Sequence, residues 1–129
     1  MSKIKLRENL MKLVFQYITT KNSECDLDIL ELNNLTNEEK ENLLNLFKNI
    51  VNKYDEIINL IEKNLINYKL ERVCKTDLAI LVVAIYELKF LNEDVKIVVN
   101  EAVELAKKYS QDNSYKFVNG LLAKVNNAV

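Results

Sequence analysis

The chain has no proline and a single glycine, Gly120. Sheet architectures rely on those two residues for their turns, because glycine supplies left-handed backbone and proline presets φ. A chain of 129 residues almost without them has lost that punctuation, and helix becomes the default. The glycine itself falls between Phe117 and Leu121 in a helical pattern. There it costs roughly 1 kcal/mol relative to alanine, so its position predicts close approach of another backbone.

Apolar spacing supports the helical reading. Leu6, Leu10, Leu13, Val14 and Tyr17 recur at three and four residues, one face of a first helix. A polar, acidic stretch from Lys21 to Asp28 and a short apolar segment, Ile29 to Leu35, follow. Thr36-Asn37-Glu38-Glu39 is a capping box that starts the next helix. From Leu43 to Leu65 the helical period persists, as one long helix or two joined near Asn52, with a bent long element expected. Thr76 is the expected cap of a further helix, with Asp77 complementing its dipole. Its run Leu78 to Ile85 is apolar all round, which predicts a central helix surrounded by the others. Asp94 caps a helix with the stripe Val95, Val98, Val99, Ala102, Val103, Ala106 and Tyr109, and Ser114 is the expected cap of the last. The fold class is therefore all-α, one compact domain over residues 1–129 with about seven helices.

Composition excludes several functions. With 49% apolar and 29% charged residues the chain is globular rather than disordered. No apolar run approaches the roughly 20 residues of a membrane span, and the N-terminus leads straight into an amphipathic helix, so a cytoplasmic location is expected. Cys25 and Cys74 are far apart and no histidine is present, which removes the usual zinc and Cys/His catalytic sets. No nucleophile elbow, P-loop or dinucleotide turn occurs. Glu101 and Glu104 sit among lysines and read as solvated or paired with Lys107 or Lys108. No enzymatic activity and no cofactor are expected.

The net charge is −1, which alone argues against a nucleic-acid partner. Its distribution argues the other way. Residues 1–21 carry Lys3, Lys5, Arg7, Lys12 and Lys21 against Glu8, a net +4; residues 114–129 carry Lys116 and Lys124 and no acid, so the remainder is −7. Lys5 and Lys12 fall on one helix face, opposite Leu6 and Leu10, where they can reach phosphates. Arg7 projects near the apolar stripe, which fits an inner ion pair as well as an RNA contact.

Asn100-Glu101-Ala102-Val103-Glu104-Leu105-Ala106-Lys107 and Lys116-Phe117-Val118-Asn119-Gly120-Leu121-Leu122 resemble the C-terminal signature of the NusB family, approximately INEAVELAK and then S-x-K-F-V-N-G-V-L-D. Leu70-Glu71-Arg72-Val73, Asp77-Leu78-Ala79-Ile80-Leu81 and Ala84-Ile85-Tyr86-Glu87-Leu88 are similar to its L-x-R-L and D-x-A-I-L-R-L-A-x-Y-E-L segments. The likeness is dense from about Leu70 to Leu122 and includes Arg7-Glu8 in the first helix. Departures are Val82 for arginine, Lys96 for proline, Ala123 for aspartate, and Lys3 and Lys5 where the family's basic run has arginines.

The resemblance implies the NusB fold and a non-enzymatic RNA-binding role in transcription antitermination. The expected ligand is single-stranded boxA RNA, bound together with NusE, a ribosomal protein of the small subunit. NusA, NusG and RNA polymerase complete the implied complex. Its RNA-binding residues would be Lys3, Lys5, Arg7 and Lys12 in the first helix, with Asn113, Tyr115 and Lys116 at the start of the last. Tyr115 reads equally as a base-stacking platform and as a surface tyrosine. Asn100 and Asn119 are expected in structural roles, fixing packing register. Homodimers occur in parts of the family, and the sequence leaves the oligomeric state open. Two rivals are a helical protein-interaction domain without RNA and the stand-alone equivalent of the RNA-recruiting module of ribosomal RNA cytosine methyltransferases.

Overall fold

A computed structural model describes residues 2–21 and 35–127. Among them are six α-helices, one 3-10 turn and no strand: α1 Lys3–Thr20, α2 Asn37–Asn52, α3 Tyr54–Lys63, the 3-10 turn Leu70–Arg72, α4 Lys75–Phe90, α5 Val95–Tyr109 and α6 Ser114–Asn127. Six helices and a turn are close to the seven expected. Cys25 and the acidic segment Glu24 to Glu31 lie outside the described residues.

The run that is apolar all round does form the centre. Every residue of α4 from Asp77 to Glu87 is buried, and α1, α2, α3, α5 and α6 all contact it. Leu81, Val82, Ile80 and Ile85 meet Leu13 and Val14 of α1, Leu43 and Ile50 of α2, Ile57 and Ile61 of α3, and Leu122 of α6 in one continuous core. Fully burying each such side chain stabilises by roughly 1.5–3 kcal/mol before ordering entropy is counted. Tyr17 pins α1 to the α2–α3 pair, its ring edge-on to Tyr54 at 5.0 Å and to Phe47 at 6.4 Å.

Local signals in the sequence are mostly realised, with informative exceptions. Thr36 accepts from the Glu39 N–H while Glu39 accepts from the Thr36 N–H, a complete capping box. Asp94 accepts from the Ile97 N–H. The bent long element resolves instead into two helices broken at Lys53, whose φ of −103° and ψ of 5° leave the helical region. Ile50 and Ile57, on either side of the break, both face the core.

Neither Thr76 nor Ser114 caps as expected. α4 begins two residues earlier than a Thr76 cap would set, at Lys75 after Cys74, without a side-chain cap. Ser114 is already inside α6 and donates to Asp77. Gly120 departs further: it is exposed, and a Cβ built on it would meet nothing within 4 Å. No neighbouring backbone approaches it, so the fold does not require a glycine there. Asn100 and Asn119 are likewise exposed rather than buried, and neither side-chain amide forms a hydrogen bond among the described residues.

Candidate nucleic-acid interface

The basic first helix meets the end of α5 around a single carboxylate. Glu8 of α1 is 5% exposed. It accepts from Lys108 Nζ of α5 at 3.0 Å, with Lys5 Nζ at 3.5 Å and Lys12 Nζ at 3.8 Å from its other oxygen. Three cations around one anion leave this patch with an excess of two positive charges. Burial raises the Glu8 carboxyl, but hydrogen bonds from Lys108 and Tyr109, with the charges of Lys108 and Lys5, outweigh it and hold the group at about 2. The carboxylate therefore stays ionised and gathers the lysines, whose ammonium ends remain open: the Lys5 side chain is 64% exposed and that of Lys108 59%. Lys12 and Lys108 also lie over the Tyr109 ring, at 5.6 and 5.1 Å.

The patch continues across the end of α5. Lys107 Nζ lies 5.1 Å from the centre of the Tyr115 ring and Lys116 Nζ lies 5.9 Å from it, so the half-buried tyrosine is flanked by two ammonium groups. Lys107 also reaches Glu104 at 3.8 Å. Asn113 is exposed in the turn just before α6. Contacts thus link Lys5 to Lys108 through Glu8, and the adjacent Lys107 to Tyr115 and Lys116.

Two of the expected RNA contacts lie elsewhere. Arg7 is 5% exposed, and its Nε donates to both oxygens of Glu87 on α4, at 2.9 and 3.0 Å. This is the inner ion pair that the sequence allowed for Arg7 beside an RNA contact. Burial pushes the Glu87 carboxyl up, and Arg7 only partly offsets that. Lys3 stays open but turns toward Glu93 at 3.4 Å, on the α4 side of α1.

Two participants were missed from the sequence. Lys108 was assigned to the acids of its own helix, yet it bonds Glu8, a hundred residues earlier. Asp77 was read as a dipole partner, yet its oxygens accept from the hydroxyls of Ser110 and, at 3.0 Å, Ser114, which are 2.9 Å from each other. This cluster ties the last turn of α5 and the first turn of α6 to α4, and so sets the position of Asn113, Tyr115 and Lys116. The only available signal was the recurrence of serines at both ends of a short loop.

Beside Lys12, a hollow of about 230 Å³ lined by Met11, Phe15, Thr76 and Tyr109 exposes the Phe15 ring. No group of His, Cys, Asp or Glu suited to a metal ion occurs among the described residues, and no described helix is long and apolar enough to cross a membrane.

The sequence profile of the NusB family matches residues 4–127. The chain belongs to the NusB family. It is 40% identical to the transcription antitermination protein NusB of Agathobacter rectalis, over 96% of this chain and 98% of that one. The NusB of Clostridium novyi is 42% identical, over 97% and 98%. The fold superimposes on T. maritima NusB with a TM-score of 0.85 at 29% identity, over 98% of this chain and 92% of that chain. It also matches a crystal structure of NusB and NusE in complex with double-stranded RNA, with a TM-score of 0.84 at 25% identity and full coverage of both chains.

Proposed function

We propose that this NusB-family protein is a non-enzymatic transcription antitermination factor that binds the single-stranded boxA element of ribosomal RNA transcripts together with NusE. The observation that carries the reading is the exposed cationic track from Lys5 and Lys12, through Lys108 and Lys107, to Tyr115 and Lys116. An anion-seeking strip on a chain of net charge −1 is a local footprint rather than a property of the whole surface. Its relatives carry the antitermination name, and a NusB of the same fold has been crystallised with NusE and RNA.

Lysines supply phosphate contacts as point charges, and Tyr115 offers a ring edge to an unpaired base. Lys3, turned toward Glu93, stands apart from the strip, and Arg7 positions α1 from inside. The exposed Phe15 ring gives NusE an apolar foothold next to the RNA. The assembled factor would work in the cytoplasm with NusA, NusG and RNA polymerase, as a monomer or through a homodimer.

Titration of a boxA oligonucleotide, with and without NusE, over a range of salt tests the reading. Affinity should fall as salt rises, and Lys5→Ala with Lys12→Ala should reduce the slope of log K against log salt by roughly 0.7 for each phosphate contact removed. Unchanged affinity and slope in the double variant would remove the track from consideration. A chain that binds NusE but no RNA would favour the protein-interaction alternative.

A further inference from the structure

Gly120 has no internal reason to be a glycine. It lies in mid-helix, exposed, with open space where a Cβ would go. Alanine would suit the helix better. What distinguishes the position is its surroundings outside the fold. Two open hollows flank the exposed face of α6, one of about 700 Å³ against α5 and one of about 290 Å³ against the segment after α3, and both are bordered by Gly120 and Lys116. Gly120 is the low point of the ridge between them.

The chemistry of the two hollows is of one kind. Among the described residues no carboxylate lines either, whereas Lys96, Lys107, Lys116 and Lys124 do. Lys116 and Lys124 stand four residues before and after Gly120, so the missing side chain leaves a notch between two ammonium groups on one face of the helix. Neither lysine forms an ion pair among the described residues. On the α5 side, Asn100 and Asn119 present unused side-chain amides, each with donors and an acceptor at once, as base edges require. On the other side, Tyr68 is 46% exposed, its ring 6.0 Å from that of Phe117, beside Ile66 at 68% exposed. Cations on the ridge with amides and an aromatic face in the hollows match a polyanion carrying planar, hydrogen-bonding side groups.

We infer that single-stranded RNA crosses α6 at Gly120, its phosphodiester seated in the notch between Lys116 and Lys124 and its bases falling into the hollows on either side. The inference rests on the RNA-binding reading above and extends the track beyond Lys116 by about two helical turns. The glycine serves an external contact here, since a side chain would hold the backbone of the ligand off the helix. An acidic segment of a protein partner is the competing occupant.

The test uses the full chain and a fluorescein-labelled boxA oligonucleotide read by anisotropy, with thermal unfolding of each variant. Gly120→Leu should weaken RNA binding about tenfold or more, the scale of one lost backbone or stacking contact. Its unfolding midpoint should equal or exceed that of the parent chain. Gly120→Ala should do the same in smaller measure. Lys124→Ala, outside the track proposed above, should lower the salt slope by roughly 0.7 with no change in stability. Parent-like affinity in Gly120→Leu and Lys124→Ala, with Lys5→Ala and Lys12→Ala still weakening binding, would overturn the crossing and leave the RNA-binding reading intact. Loss of NusE binding with RNA affinity unchanged would overturn it in favour of a protein occupant. Failure of the parent chain to bind RNA at all would overturn both readings.

Discussion

Arg7 and Glu87 offer a sharp separation of structural from RNA-contacting roles. Both side chains are nearly closed to solvent, 6% and 10% exposed, and they share two hydrogen bonds to one nitrogen. In Arg7→Met the aliphatic volume is kept while Glu87 is left buried without its cation, a change that costs about 3–5 kcal/mol. Set against the roughly 5–15 kcal/mol that holds a domain of this size, that is at least about a fifth of the total. It should lower the unfolding midpoint by about 10 °C or more. The pH dependence fixes the sign. Burial already raises the Glu87 carboxyl, and removing Arg7 raises it further. A carboxyl raised on folding favours the native state while it is protonated, and that contribution is lost as pH rises through the folded value. The defect in Arg7→Met should therefore be largest at neutral pH and shrink as pH falls into the carboxylate range. Urea unfolding at pH 7 and pH 5 measures it, and Arg7→Met with Glu87→Leu should recover most of the loss at both. A loss below about 1 kcal/mol at pH 7, together with weaker RNA binding, would refute the inner-pair assignment.

Two further outcomes follow from the carboxylates that organise the interface. Glu8 is held at about 2 against an ordinary 4.5, so its share of stability is present above pH 4.5 and disappears as pH falls from there toward 2. Because its lysine partners are well exposed, screening limits that share to about 1–2 kcal/mol. Glu8→Gln should flatten the acid limb of urea midpoints against pH, and an unchanged limb would remove Glu8 as its source. Asp77→Ala should cost about 1–3 kcal/mol by removing the buried acceptor that the Ser110 and Ser114 hydroxyls share. In that variant, amide exchange should quicken from Ser110 to Ser114 before it quickens in α4; uniform quickening would mean that Asp77 supports the core rather than the loop.

Periodicity and caps made most of the fold legible. The all-round apolar run placed α4 at the centre, and Thr36 and Asp94 marked helix starts because a cap is a contact over three residues. Where a side chain is recruited across the fold, local reading failed. Asp77 and Ser114 look like helix-start residues, but their bonds join α4 to α6. Lys108 follows an i, i+4 logic in sequence and answers instead to Glu8. Arg7 could be read both ways because its distance from the apolar stripe is set by how α1 rolls on α4. Gly120 misled for a different reason: the rule that glycine signals close approach holds, but nothing in a single chain says whether the approaching backbone is its own.

The Asp77 tether bears on the energetics of recognition. A loop of four residues between two helices would ordinarily lose freedom when a ligand lands on it, at a cost of about 1–2 kcal/mol for each residue newly fixed. Here both ends are already clamped by one buried carboxylate, so Asn113, Tyr115 and Lys116 meet their ligand preorganised. Softening the clamp should show first as faster dissociation, with the encounter rate, which the exposed lysines govern, left almost as it was.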